Sequence, residues 1–271
     1  MKKRIPFKVI YLRIIQYVFA MSLLSGCYKI NDRSDFETGR VKSRGDSIID
    51  RAIEYAGGEK FLNLHVEFDF RGRHYVGKRK HGLYQYERIF SDSTGLYRDI
   101  LNNEGFVRQL NDEEVMLPDT MAAKYTRSVN SVLYFGLLPF GLNDGAVRKK
   151  FLGEGSLKGK EYYKVMVTFE EEGGGDDYED VFIYWIGKEN YKIDYFAYTY
   201  VTDGGGSRFR EAINPRVIEG ILFQDYINYK PREEGRALLL KYDSLFESGL
   251  LEELSTIETE NIVVKEWDGR N

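Results

Sequence analysis

Beyond residue 65 the chain switches from helical spacing to a period of two, and it keeps that period almost to its end. Val66, Phe68, Phe70, Gly72 and His74 alternate with Glu67, Asp69, Arg71, Arg73 and Tyr75, the pattern of a strand with one buried and one wet face. Short alternating runs recur at 83–90, 96–102, 106–110 and 114–117, each bounded by Gly, Asn or Asp. They resume at 147–152, 162–169, 180–186, 191–201, 208–213 and 217–229, with 236–242 and 255–264 read as the last two. Helical spacing is confined to three places. Ile48, Ile49, Ala52, Ile53 and Ala56 follow Asp46, a candidate N-cap; Met121, Tyr125, Val129, Val132 and Leu133 fall within 119–135; a short helix is expected at 244–253. The expected fold class is α+β, mainly β: an antiparallel meander curled into an incomplete barrel, with two or three helices on its concave side. With 271 residues and one targeting segment, residues 45–271 are read as a single domain.

The targeting segment occupies residues 1–26. Lys2, Lys3, Arg4, Lys8 and Arg13 form a basic start without acidic residues, and the apolar run from Ile14 to Leu24 is broken only by Gln16 and Ser22. That run falls well short of the ~20 residues needed to span a bilayer core, so it reads as a secretory signal peptide. It ends in Leu24-Ser25-Gly26-Cys27, which resembles the lipobox of bacterial lipoproteins. The resemblance implies that Cys27, the single cysteine of the chain, carries diacylglyceryl and palmitate-type acyl groups as the first mature residue. Residues 27–44 would then be a lipidated tether. Several acyl chains give stable anchoring where one is marginal. Tyr28 rather than Asp after the cysteine mildly favours the outer membrane over inner-membrane retention, and leaves open the periplasmic or surface face.

Of the 39 Lys and Arg, five lie in the first 26 residues; without them 34 face 43 Asp and Glu, a net charge of −9. That balance argues against nucleic acid as a partner. The membrane would be reached through the N-terminal lipid instead.

Element order carries a resemblance. Lipobox, leading amphipathic helix, meander, mid-chain helix and returning strands are similar in outline to the lipoprotein carrier and receptor fold, an incomplete barrel that holds acyl chains in an apolar cavity. Specific motifs resemble an uncharacterised family of secreted, lipoprotein-like proteins from diderm bacteria: Phe70-Arg71-Gly72-Arg73-His74-Tyr75, Ser128-Val129-Asn130-Ser131-Val132, Leu138-Pro139-Phe140-Gly141-Leu142-Asn143-Asp144, Tyr184-Trp185-Ile186, Asp194-Tyr195, the 204–212 stretch from Gly204 to Ala212, and Asp225-Tyr226-Ile227-Asn228-Tyr229. The family brings no activity with it.

Catalytic and cofactor signatures are missing from the sequence. There is no H-E-x-x-H, no G-x-S-x-G and no phosphate-binding glycine loop, and no cofactor is expected. His65 and His74 differ by an odd number, which on one strand would separate them onto opposite faces and argue against a shared metal. The acidic stretch around Gly173–Gly175 does not have EF-hand spacing and reads as a solvated hairpin tip. Arg208 and Arg210 share a strand face and are able to grip a carboxylate, phosphate or sugar hydroxyls. Pairing with acidic residues of neighbouring strands is the expectation favoured for them.

The functional expectation is a non-enzymatic, lipid-anchored envelope protein that binds an amphiphilic or acyl-chain ligand. The candidate lining is Phe68, Phe70, Val132, Phe135, Tyr184, Trp185, Tyr195, Arg208 and Arg210, with the apolar turn 137–142 as a movable lid. A glycan-binding surface lipoprotein is the alternative, its tyrosines stacking on sugar rings. A hydrolase using carboxylates such as Asp194 or Glu211 stays open as a third.

Overall fold

The computed structural model describes residues 42–232 and 236–267. The signal segment, the Leu24–Cys27 motif and the tether up to residue 41 lie outside the described residues. Residues Lys42–Asn271 make up one compact unit.

Helix α1 spans Arg44–Ala56, and its cap is Ser43 rather than Asp46. The Ser43 hydroxyl accepts from the Asp46 amide at 3.1 Å while the Asp46 carboxylate accepts from the Ser43 amide at 3.0 Å. This reciprocal capping box satisfies two of the amides a helix start leaves unpaired. Ile48, Ile49, Ala52 and Ala56 form its buried stripe, and a 3₁₀ turn at Gly58–Leu62 adds Phe61 to the core.

Two seven-stranded sheets follow, every pairing antiparallel. Strands β1 (Asn63–Phe70), β2 (Arg73–Lys80), β3 (Leu83–Asp92), β4 (Gly95–Asn102), β5 (Gly105–Leu110) and β6 (Glu113–Glu114) run as a meander. Helix α2 (Asp119–Gly136) then leads to β7 (Val147–Leu157), β8 (Lys160–Phe169), β9 (Val181–Gly187), β10 (Ile193–Tyr200), β11 (Gly206–Ile218) and β12 (Ile221–Pro231), and helix α3 (Tyr242–Glu247) precedes β13 (Leu251–Ile257) and β14 (Glu260–Glu266). The first sheet has the order β14-β1-β2-β3-β4-β5-β6, the second β13-β12-β11-β10-β9-β8-β7. Neither sheet closes on itself. The fold is mainly β with three α-helices among the described residues, and the meander is divided between two sheets.

Four sequence expectations are corrected. The run 66–76 is not one strand: Arg71 and Gly72, both at positive φ (50° and 68°), make a two-residue hairpin turn between β1 and β2. The turn resets the alternation, so Asp69 pairs with His74 and the two histidines share one face. His65 Nε2 lies 2.8 Å from Glu67 and His74 Nδ1 lies 2.8 Å from Asp69, yet no His, Cys, Asp and Glu cluster among the described residues is able to hold a metal. The run 255–264 is also two strands. Thr259 carries the chain from one sheet to the other, held by Arg216, which donates to its carbonyl at 2.6 Å, and by Asp225, which accepts from its amide at 3.1 Å. Segment 236–242 is not a strand. It forms a 3₁₀ turn (Arg236–Lys241) entering α3, because Leu239 and Tyr242, three apart, dock together on the second sheet. Val217 and Ile218 end β11 rather than start β12, with Glu219-Gly220 turning between them at positive φ.

The packing forms three clusters. One joins the first sheet to α2 through Val66, Phe68, Tyr75, Val129 and Leu133. Gly77 on β2 permits that approach, since a Cβ there would meet Leu133 Cδ1 at 2.8 Å. A second lies on the inner face of the second sheet, where Tyr184, Phe196 and Tyr198 meet Ile48, Ile49 and Ala52 of α1. The third lies on the opposite face of that sheet, where Trp185, Tyr195 and Phe209 pack under Leu239 and Tyr242. The second sheet is therefore covered on both faces, whereas the first keeps a charged outer face.

Candidate ligand-binding cavity

Residue alternation decides what the inner face of the second sheet presents. Cross-strand register aligns Tyr184, Phe196, Arg210 and Asn228 in one row, and Phe182, Tyr198 and Arg208 in the next. Helix α2 passes over this face with Ser131, Val132, Phe135 and Gly136. Between them lies a cavity of about 410 Å³, within the ~300–1,000 Å³ typical of small-molecule sites.

Its walls differ in character. Phe70, Val132, Phe135, Tyr226 and Ile257 give an apolar side, while Arg71, Arg208, Arg210, Gln224 and Asn228 give a polar one. Asp177 and Asp180 from the β8–β9 connection, Thr202 from the β10–β11 connection and Thr259 complete the rim. Asp177 is engaged locally, accepting from the Thr202 hydroxyl at 3.2 Å.

Arg210 is the central polar group. It is 8% exposed. Its Cζ sits 4.1 Å from the centre of the Phe135 ring and its Nη2 donates to the Tyr198 hydroxyl at 3.0 Å. Its Nε, like Gln224 Oε1 and Asn228 Oδ1, is buried without a hydrogen-bond partner. Arg208 donates to the Ser207 carbonyl at 2.7 Å and lies over the Tyr200 ring at 5.4 Å. Among the described residues no ion pair is shown for Arg208 or Arg210. Of the β11 arginines only Arg216 meets a described carboxylate, Asp225, at 2.9 Å. Burial, against the opposing pull of Gln224 and Arg210, raises the Tyr226 hydroxyl above its ordinary pKa, so this wall stays neutral there over the physiological range.

The candidate lining divides accordingly. Phe70, Val132, Phe135, Arg208 and Arg210 are brought together at the cavity. Phe68 is one layer behind it, in the core beneath α2, and Tyr184 is fully buried in the aromatic stack with Phe182 and Phe196. Trp185 and Tyr195 point to the opposite face of the sheet, under α3, because alternation places odd and even positions on different sides. The carboxylates named for hydrolysis are outside the lining as well: Asp194 pairs with Lys192 and Glu211 with Lys158, each at 2.7 Å. Segment 137–142 is core rather than lid. Leu137, Leu138 and Leu142 are buried in two different clusters, and Phe140 stacks on Phe61 at 5.1 Å. Gln224 and Asn228 were not singled out, although their alternation with Phe223 and Asp225 around Tyr226 marks them as its face-mates.

A family model matches residues 41–259, a span that includes every residue lining the cavity. The chain belongs to the DUF6503 family of unknown function. No curated protein matches this DUF6503 chain. Among solved structures it is similar to a LolA superfamily protein from Nitrosomonas europaea, at 12% identity over 86% of this chain and 96% of that one, with a TM-score of 0.48. It is also similar to a DUF1329 family protein from Desulfovibrio piger (13% identity, 83% and 93% covered, TM-score 0.36). The lipoprotein LppX from Mycobacterium tuberculosis matches at 13% identity over 59% of this chain and 88% of its own, with a TM-score of 0.27. All three scores lie below 0.5. No helix among the described residues is long and apolar enough to cross a membrane.

Proposed function

We propose that this protein is a lipid-anchored envelope lipoprotein whose single domain, residues 45–271, forms an incomplete barrel and binds an amphiphilic ligand between α2 and the second sheet. The observation that carries this reading is the two-sided cavity of about 410 Å³, aromatic and aliphatic on one wall and cationic on the other. An amphiphile matches such a wall pattern, since its chain removes apolar surface from water while its head keeps polar partners. The anchor rests on Leu24-Ser25-Gly26-Cys27 after a short apolar run, and the outer membrane is its proposed location.

Two experiments test the halves separately. Cys27→Ala should move the protein from the membrane to the soluble fraction and abolish acyl mass on the N-terminal peptide; equal fractionation of variant and wild type would remove the anchor. A fluorescent fatty-acid probe should bind residues 28–271. Val132→Trp, which fills the cavity from α2, should weaken that binding about tenfold or more, a loss of ~1.4 kcal/mol per decade. Unchanged probe affinity in this variant would place the ligand elsewhere, or nowhere.

A further inference from the structure

The polar wall of the cavity carries more information than its charge. The two other buried arginines among the described residues, Arg88 and Arg108, each meet Asp99 within 3 Å. Arg210 is buried as deeply as Arg108 and has instead a phenol, aromatic faces and an Nε with nothing to donate to. A buried guanidinium N–H without an acceptor is costly, and an anionic acceptor relieves that cost with a strong, charge-assisted hydrogen bond. Arg208, two residues along the same strand face, adds a second cationic donor. Arg71, Arg208 and Arg210 against Asp177 and Asp180 give the lining a formal net charge of +1.

Beside Arg210 the need is reversed. Asn228 is its direct cross-strand partner, and Gln224 lies four residues along on the same face. Asn228 Oδ1 and Gln224 Oε1 are buried acceptors without a donor. A bare carboxylate satisfies the arginine and leaves both amide oxygens unmet, because it has no hydrogen to give. A head group with an acid and a neighbouring hydroxyl satisfies the arginine and also gives Asn228, its direct cross-strand neighbour, a donor.

Resting on the amphiphile reading above, we propose that the cavity selects single-chain amphiphiles with an acidic, hydroxyl-bearing head, of the acyl-glycerol phosphate class. Arg210 and Arg208 hold the acid, Asn228 accepts from the hydroxyl, and the chain lies along Val132, Phe135 and Ile257.

Displacement of the fluorescent fatty-acid probe from residues 28–271 by three competitors of equal chain length tests this: palmitoyl-glycerol phosphate, palmitate and monopalmitoylglycerol. The expected order of affinity is as written, the first and last differing by about tenfold or more. Arg210→Gln should weaken both acids about tenfold while leaving monopalmitoylglycerol nearly unchanged. Arg208→Gln, at a less buried position, should move the same way and guards against a misfolded Arg210 variant. Asn228→Leu should bring palmitoyl-glycerol phosphate down to the level of palmitate. Equal displacement by all three competitors would overturn head-group selection and leave amphiphile binding standing. Equal affinity of the two acids would overturn the hydroxyl contact. Failure of the probe itself to bind would remove the parent reading and this inference with it.

Discussion

Asp99→Asn is expected to destabilise the protein by about 3–5 kcal/mol. Asp99 is fully buried on β4 between two arginines, accepting from Arg88 at 2.5 and 2.8 Å and from Arg108 at 2.6 and 2.9 Å. Arg88 also donates to Ser128 of α2 at 2.7 Å, and Arg108 lies 3.7 Å from the centre of the Tyr125 ring. The carboxylate thus fastens the first sheet to the helix that covers it. Without its charge, two guanidinium groups would face each other under α2 with no anion to neutralise them. Urea unfolding at pH 7 measures the loss. A change below ~1 kcal/mol would mean that the arginines escape to water.

Trp185→Ala is expected to cost about 3–5 kcal/mol through the void it leaves, lowering the melting temperature by roughly 6–20 °C for a domain of this size. The indole is 1% exposed, tilted edge-on to Phe209 with ring centres 5.6 Å apart, and its Nε1 faces Asp243 of α3 at 3.4 Å. Below its lowered melting temperature the variant should bind the fatty-acid probe with wild-type affinity, because Trp185 lies on the face of the second sheet away from the cavity. Val132→Trp should show the reverse pattern, weakened binding with the fold retained. A binding loss in Trp185→Ala at temperatures where it is folded would contradict the assignment of the two faces.

Most strands were legible because alternation and turn residues are local signals. Strands β3, β4, β8 and β9 fall within one or two residues of their sequence ranges, and α2 begins at Asp119 as its apolar spacing indicates. The failures occurred where long-range packing overrides local pattern. Residues 255–264 contain no Gly, Pro, Asn or Asp before Asn261, so nothing local announces the break at Thr259. That break is imposed by Arg216 and Asp225 from other strands. Segment 236–242 is rich in leucine and looks extended, but docking Leu239 and Tyr242 on a preformed sheet requires a helical turn. Arg71 in a hairpin turn is unannounced for a simpler reason: it is a non-glycine residue at positive φ, paired in the turn with Gly72.

The sequence by itself determined the mainly β architecture, the positions of α1 and α2, the face shared by Arg208 and Arg210, and the membership of Phe70, Val132 and Phe135 in an apolar surface, since each follows from spacing along one segment. Tertiary structure alone decided that the meander divides into two sheets, that Trp185 and Tyr195 turn away from the cavity, and that Arg208 and Arg210 meet no described carboxylate. Those outcomes depend on which strands become neighbours and what lies across the space between them. A residue's period specifies the side it faces, but burial and partners are set by chain segments distant in the sequence, as Phe135 over Arg210 and Arg216 beside Thr259 are set here only by packing.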